Sequence, residues 1–290
     1  MGEHSSTYYI PKPSGWPLVA SIGLTTMLVG AGSWLHADWY GPYVFTAGLG
    51  ILVFMMFGWF GQVIYENNKG LYDIQVDRSF RWGMCWFIFS EVCFFAAFFG
   101  ALFFTRYWSV PILGGEKYPL TNYLLWDNFK AVWPLIKNPD NINFVGAKEA
   151  MGAWGLAAVN TVILLTSGAT ITWAHWALKL HKQKQLIVGM IFTIALGCLF
   201  LSLQAYEYHE AYTEMNLTLD AGIYGTTFFM LTGFHGLHVT IGTIMLIVIT
   251  IRCYRHHFTP ERHFAFEAVA WYWHFVDVVW LFLFIFVYWL

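Results

Sequence analysis

Ionisable side chains lie in the middle of two long apolar stretches near the C-terminal end of this sequence of 290 residues. The first stretch carries His235 and His238, and the second carries His274 and Asp277. Each is long enough to cross a bilayer, because ~20 apolar residues at ~1.5 Å rise span a hydrocarbon core of ~30 Å. Leaving Asp in hydrocarbon costs on the order of 2.5–3.5 kcal/mol. We therefore expect these four groups to face protein, a polar cavity or lipid head groups.

The two histidines at positions i and i+3 of the first stretch raise the question of metal or haem ligation. Structural zinc takes four ligands and catalytic zinc at least three. His235 and His238 supply two, although other histidines such as His175 could complete a three-histidine site. In the alternative, both imidazoles form hydrogen bonds between helices or to lipid head groups. We adopt the second interpretation and predict neither a metal site nor a redox cofactor in this chain.

Three carboxyl groups lie inside apolar segments. Glu91 is ten residues beyond Arg81, roughly 15 Å deep by helical rise. It could handle protons or regulate their uptake, or it could be a neutral structural acid that bonds to a neighbouring helix. Glu267 and His274 share one helical face, with Asp277 at its edge, and could form a polar seam between helices or part of a water path.

A thinner polar seam follows the fourth apolar stretch. It consists of Asn160, Ser167 and His175, and we interpret it as structural. The sequence lacks the motifs that indicate a nucleotide site, a nucleophile–base pair or covalent haem attachment. We accordingly predict no catalytic residue in this chain.

The composition is that of a polytopic membrane protein. Apolar residues make up 58% and charged residues 11%, against about 25% charged residues in soluble domains. The 16 Trp, 16 Tyr and 27 Phe fit aromatic belts at both membrane interfaces. Since the net charge is −2, nucleic acid is not an expected partner. The four cysteines show no paired spacing and are interpreted as packing residues.

Seven apolar runs predict seven transmembrane helices, because none alternates as a barrel strand does. The predicted spans are about 16–35, 43–65, 81–107, 154–178, 186–206, 224–251 and 266–290. Without an internal repeat or a low-complexity linker, residues 1–290 are predicted to form a single all-α membrane domain. Ten of the 15 Lys and Arg residues lie in the N-terminal segment and the even-numbered connections. This bias predicts a cytoplasmic N-terminus and an outer C-terminus.

The loop over residues 109–153 is the longest extramembrane segment. Apolar residues recur within it at helical spacing, from Leu125 through Phe129 to Ile136, with Asn128 on the opposite face. This pattern predicts a short helix on the outer surface, bent at Pro134. An irregular loop is the alternative.

The sequence closely resembles cytochrome c oxidase subunit III. The segments that carry the resemblance are AFEAVAWYWHFVDVVW (265–280), GFHGLHV (233–239), DAGIYGTTFF (220–229), SEV (90–92), TITWAH (170–175) and QAYEY (204–208). The likeness is strong over about residues 81–290 and looser over 16–59. The family fold implies two groups of helices, one to two and three to seven, separated by a lipid-filled cleft. The family carries no redox centre and packs directly on the haem- and copper-bearing subunit I, beside subunit II.

The resemblance also assigns roles to individual residues. Glu91 matches the family's carbodiimide-reactive membrane carboxyl, and His235, His238 and Arg252 resemble polar positions that line or approach the lipid cleft. The sequence departs from the family at residues 59–66, WFGQVIYE, where a Trp-Arg-Asp…Arg-Glu run is usual. It also has His175-Trp176 where two histidines are often paired. The long outer loop is typical of bacterial forms.

The sequence therefore leads to an expected function. We expect a non-catalytic subunit III of a bacterial aa3-type cytochrome c oxidase in the inner membrane, with its C-terminus in the periplasm. It would stabilise the catalytic subunit, support proton uptake during O₂ reduction and bind phospholipids. The alternatives are subunit III of a quinol oxidase, or a stand-alone transporter that uses the polar seams.

Overall fold

The chain is an integral membrane protein with seven helices long and apolar enough to cross a bilayer. The computed structural model describes residues 9–10, 12–116, 118–127 and 129–290, and within these ranges it contains helices and no strand. The helices in chain order are α1 (Trp16–Leu35), α2 (Gly41–Asn68), α3 (Ile74–Phe104), α4 (Val110–Leu113), α5 (Pro119–Leu125), α6 (Leu156–Lys179), α7 (Gln183–Thr213), α8 (Ile223–Tyr254) and α9 (Phe264–Leu283). A π-helical segment, Thr105–Ser109, joins α3 to α4, and another, Phe284–Trp289, continues α9.

The seven predicted spans are confirmed, and most of the helices extend beyond the apolar runs that predicted them. Helix α1 has the predicted limits, whereas α3 begins at Ile74 and α7 reaches Thr213. About 20 residues suffice to cross hydrocarbon, but α7 has 31. Hydropathy detects only the part of a helix that lies in hydrocarbon. Backbone hydrogen bonding continues into polar sequence until a turn ends it, and Glu207 is consequently helical.

The predicted grouping of the spanning helices is also confirmed. The chain forms two compact units, of which the first ends at Trp82 and the second comprises Gly83–Leu290. The first contains α1 and α2, and the second contains α6 to α9 with most of α3. A single domain over residues 1–290 stays a prediction.

Small residues bring α1 and α2 together in the first unit. A Cβ at Gly30 would meet the backbone of Val44 and Phe45, and one at Gly48 would meet the backbone of Met27. Glycine allows such close backbone approach between membrane helices, where packing rather than the hydrophobic effect drives association. Gly32, on another face of α1, has open space instead.

The second unit is built around α9, the most buried of the seven spanning helices. Its Trp273 and Trp280 are fully enclosed, and both indole N–H groups donate to hydroxyls of α6, Ser167 and Thr161, at 2.9 Å each. Aromatic side chains of α3 pack on α8, for example Phe94 on Phe234 with ring centres 5.0 Å apart. These contacts fix the rotation of α9 relative to α6 and pack α3 on α8.

The predicted surface helix of the outer loop is wrong. The short helix in this loop is α5, which ends at Leu125, and the described residues from Trp126 to Met151 are irregular; Asn128 lies outside the described residues. The side-chain amide of Asn122, in the middle of α5, donates to the carbonyls of Leu113, Trp126 and Phe129 and so stabilises the turn after Leu125. The apolar residues of the predicted stripe serve tertiary packing, as Phe129 is buried in the core. Pro134 also disfavours helical backbone at the preceding residue.

The outer loop is anchored to the connection between α7 and α8. Asn138 is buried and its amide donates to the carbonyls of Phe144 and Ala221, at 2.9 and 3.2 Å. Gly222 follows with φ of 103°, and a Cβ there would collide with the Asn138 side chain. Lys148 N–H donates to Met215 O at 2.8 Å. The loop is thus part of the second unit's packing.

Candidate functional site

Glu91 of α3 and His238 of α8 form a close pair. Glu91 Oε2 lies 2.8 Å from His238 Nε2, and His238 Nδ1 lies 2.7 Å from the Phe234 carbonyl of its own helix. Since a carbonyl only accepts, Nδ1 carries a proton and donates it. Nε2 and Glu91 must then share a second proton, on the imidazole as an ion pair or on the carboxyl. In either arrangement the pair has no net charge.

The neutral pair sits among aromatic rings. The ring centres of Phe95 and Phe94 lie 5.0 and 5.9 Å from that of His238, and Tyr272 stacks on the imidazole at 6.4 Å. The Glu91 and His238 side chains are 20% and 11% exposed. Removing the shared proton would leave a negative charge in this apolar setting, which is costly. The geometry therefore suits a pair that holds a proton.

His235 faces away from this pair, although it lies only three residues before His238. It is 1% exposed, and its Nε2–H donates to the Val276 carbonyl of α9 at 3.2 Å. The rings of Trp280 and Phe200 pack on it, with centres 5.2 and 5.7 Å away. His235 thus links α8 to α9. The structure does not direct His235 and His238 towards a common metal ion.

His274 and Asp277 lie in an open groove of about 540 Å³ between α6 and α9. His274 Nδ1 lies 3.4 Å from Asp277 Oδ2, and His274 Nε2 lies 3.3 Å from Thr172 Oγ1. The Thr172 hydroxyl already donates to Gly168 O at 2.9 Å, so it accepts from the imidazole. Asp277 is buried and His274 is nearly half exposed. These residues form an inter-helix polar seam at the floor of an otherwise apolar groove.

His175 and Glu267 converge with a third residue, His263, where α6 ends and α9 begins. His175 Nε2 lies 3.2 Å from His263 Nε2 and 3.7 Å from Glu267 Oε1, and the last two atoms are 3.2 Å apart. Sequence reasoning missed His263 because it lies outside the apolar run. The spacing of His263 and Glu267, four residues apart at a helix start, is the signal that could have found it.

Comparison with known proteins places the whole chain in one family. The family model described as cytochrome c oxidase subunit III matches residues 6–290. A relative from the liverwort Marchantia polymorpha is 41% identical over 283 residues, which is 97% of this chain and 96% of the relative. Relatives from Hippopotamus amphibius and Cyprinus carpio are each 40% identical over 290 residues, covering 100% of this chain and 99% of theirs. All three are named cytochrome c oxidase subunit 3. This chain belongs to the cytochrome c oxidase subunit III family.

In this member of the subunit III family, Arg252 closes the basic end of α8. It is 8% exposed, and its guanidinium lies 4.5 Å from the centre of the Phe258 ring, a cation–π distance. His257 follows in the loop, where burial lowers its pKa and the charges of Arg252 and Arg255 act in the same direction. The positive charge at this end of the bundle thus comes from the two arginines, and the lowered pKa of His257 favours its neutral form.

A buried carboxyl that the sequence analysis of this subunit III missed is Glu207. It is 1% exposed and its Oε2 accepts hydrogen bonds from Gln204 Nε2 at 2.7 Å and from the Tyr288 hydroxyl at 2.9 Å. The predicted span ended at residue 206, which placed Glu207 outside the membrane. The segment QAYEY (204–208) contained the signal, because Gln204 and Glu207 lie on one helical face.

The segment in which this subunit III departs from the family pattern has its own polar contacts in the first unit. Gln62 accepts from the Trp16 indole at 2.9 Å and donates to Glu66 at 2.9 Å. The Tyr72 hydroxyl donates to Glu66 at 2.9 Å. Partial burial and the neighbouring Glu66 carboxylate raise the pKa of Tyr72. Residues 59–66 therefore link the end of α2 to the start of α1 and to the segment before α3.

Proposed function

We propose that this chain is the non-catalytic subunit III of an aa3-type, proton-pumping cytochrome c oxidase. The observation that carries the proposal is the match to the subunit III family over residues 6–290. In the complex, haem and copper belong to the partner subunits, and subunit I packs directly on this chain beside subunit II. The names of the relatives favour cytochrome c over quinol as the electron donor.

The chain contributes a pair of side chains that holds a proton. Glu91 and His238 share one proton between α3 and α8 while His238 Nδ1 remains committed to Phe234 O. One proton per pair is therefore exchangeable. This supports a role beside the proton-uptake route of subunit I rather than an obligatory step within it, because a single pair is not a relay across the membrane.

Bound phospholipids belong to the same proposal. Arg252 and Arg255 concentrate positive charge at the end of α8, where an anionic head group would be attracted. The Lys and Arg bias supports a cytoplasmic position for this end and a periplasmic C-terminus. The relatives above come from a plant and animals, so the proposed bacterial inner membrane rests on the length of the outer loop alone.

Removal of this chain from its host tests the proposal. Membranes of the deletion strain should lose oxidase-dependent O₂ consumption with reduced cytochrome c, and part of their haem a absorption as the catalytic subunit becomes less stable. The wild-type chain should restore both. Unchanged O₂ consumption and haem a content in the deletion strain would overturn the proposal.

A further inference from the structure

We propose that His175, His263 and Glu267 form a binding site for a divalent transition-metal ion, with zinc as the best fit. The site lies at the end of the second unit where α6 ends and α9 begins, and it goes beyond the oxidase role proposed above. His175 comes from α6, His263 precedes α9, and Glu267 lies in the first turn of α9. Two imidazole nitrogens and one carboxylate oxygen are a donor set that zinc favours.

The spacing of the three donor atoms matches a tetrahedral ion. Zinc binds nitrogen and oxygen ligands at about 2.0–2.2 Å, so two ligands of a tetrahedral zinc are roughly 3.3–3.5 Å apart. The three atom pairs here measure 3.2, 3.2 and 3.7 Å. A zinc ion at their centre would therefore require shifts of only a few tenths of an ångström. The fourth position remains for water.

The hydrogen bonds around His263 direct its free nitrogen into the cluster. Its Nδ1 lies 3.1 Å from the Thr259 carbonyl, which can only accept, so Nδ1 carries the proton. His263 Nε2 then presents a lone pair to the cluster. A backbone carbonyl that fixes the tautomer in this way is typical of metal-ligating histidines.

The close contact between His263 and Glu267 also suits a cation. His263 Nε2 and Glu267 Oε1 both present lone pairs, and the two atoms are 3.2 Å apart. A metal ion at the centre of the cluster would be coordinated by both atoms and by His175 Nε2.

The three side chains of the cluster are mostly buried but still reachable from solvent, and one exposed lysine lies nearby. The side chains of His175, Glu267 and His263 are 19%, 13% and 7% exposed. Lys179, one turn beyond His175, is exposed and repels positive charge at the cluster. Because water screens this exposed ammonium, it weakens metal binding without preventing it.

The sequence analysis weighed a metal for His235 and His238 and predicted none. The cluster above was not considered, because His175 and His263 are 88 residues apart and meet only through the packing of α6 on α9. The proposed site is an alternative to the metal-free chain, which stays a prediction.

Zinc binding to the full-length chain in lipid nanodiscs tests the site. After chelator treatment and dialysis, equilibrium dialysis against radioactive zinc should show one tight site per chain. His263→Gln should weaken this site by more than the roughly 10–100-fold loss typical of an outer-shell partner. His175→Gln should do the same from a different helix. His256→Gln, an exposed histidine at the same end, should leave the affinity unchanged.

A variant that binds zinc more tightly than the wild type cannot owe this change to misfolding. Lys179→Gln removes the repelling charge and should bind zinc more tightly than the wild type. X-ray absorption at the zinc edge should show two imidazoles and an oxygen ligand. Absence of a tight site in the wild type, or wild-type affinity in both His263→Gln and His175→Gln, would overturn the proposal and leave a proton-sharing cluster. Oxidase activity of the intact complex is measured separately, without zinc. This measurement distinguishes failure of the zinc-site proposal from failure of the proposed oxidase function.

Discussion

Replacement of Glu91 by Gln or by Leu separates the hydrogen bond of the Glu91–His238 pair from its exchangeable proton. Gln retains a polar head at the position of the carboxyl, and its amide can donate to the unprotonated Nε2 of His238. Leu leaves that nitrogen without its 2.8 Å partner in a ring of aromatic side chains. The two variants thus share the loss of the proton and differ in the hydrogen bond.

The magnitude follows from the value of such bonds inside membranes. A side-chain hydrogen bond between membrane helices is worth about 0.6 kcal/mol on average and up to about 1.7. Charge-assisted bonds are roughly twice as strong as neutral ones. Glu91→Leu should therefore destabilise the chain by about 1–3 kcal/mol, and Glu91→Gln by about 1 kcal/mol or less.

Thermal unfolding of the purified complex measures the stability of each variant, and O₂ consumption in the first seconds after mixing measures turnover. Glu91→Gln should leave this initial rate largely intact, because the pair holds a proton beside the uptake route. An immediate loss of turnover in Glu91→Gln would place Glu91 on an obligatory proton path. Equal destabilisation by Gln and Leu would refute the assigned hydrogen bond.

Three further predictions concern packing and buried bonds. Gly30→Ala should lower the thermal stability of the complex by the 1–3 kcal/mol typical of overpacking. Gly32→Ala is the control, because open space surrounds Gly32, and it should not lower the stability. Equal effects of the two variants would contradict the close approach of α1 and α2. Glu207→Leu should cost about 1–3 kcal/mol by removing the acceptor that two buried donors share. Glu207→Gln, which retains an acceptor, should unfold at a clearly higher temperature than Glu207→Leu. A double-mutant cycle of Trp280→Phe and Thr161→Val should give a coupling of about 0.6 kcal/mol, and zero coupling would show that the indole bond does not contribute.

The number and type of the membrane helices could be predicted because hydropathy acts locally. Around 20 apolar residues in a row determine a span wherever the rest of the chain lies. The helix ends could not be predicted equally well, since α7 continues through Glu207 to Thr213 in polar sequence. The outer loop was mispredicted because its apolar stripe serves tertiary packing, as the burial of Phe129 shows.

The partners of the polar residues depend on how the helices are rotated, which the sequence does not reveal. His235 and His238 are neighbours on one helix face by spacing, yet one bonds to α9 and the other to α3. His263 entered the candidate site only through the packing of α6 on α9. The pattern therefore predicted which residues are chemically unusual, and the fold decided what each one contacts.

Co-purification tests the central claim most directly. A tagged copy of this chain, extracted from its native membranes in a mild detergent, should carry haem a and copper in partner subunits and consume O₂ with reduced cytochrome c. Untagged cells provide the control, and quinol as the donor distinguishes the other oxidase type. A colourless, solitary chain without oxidase activity would contradict the account and return attention to a transporter that uses the polar seams.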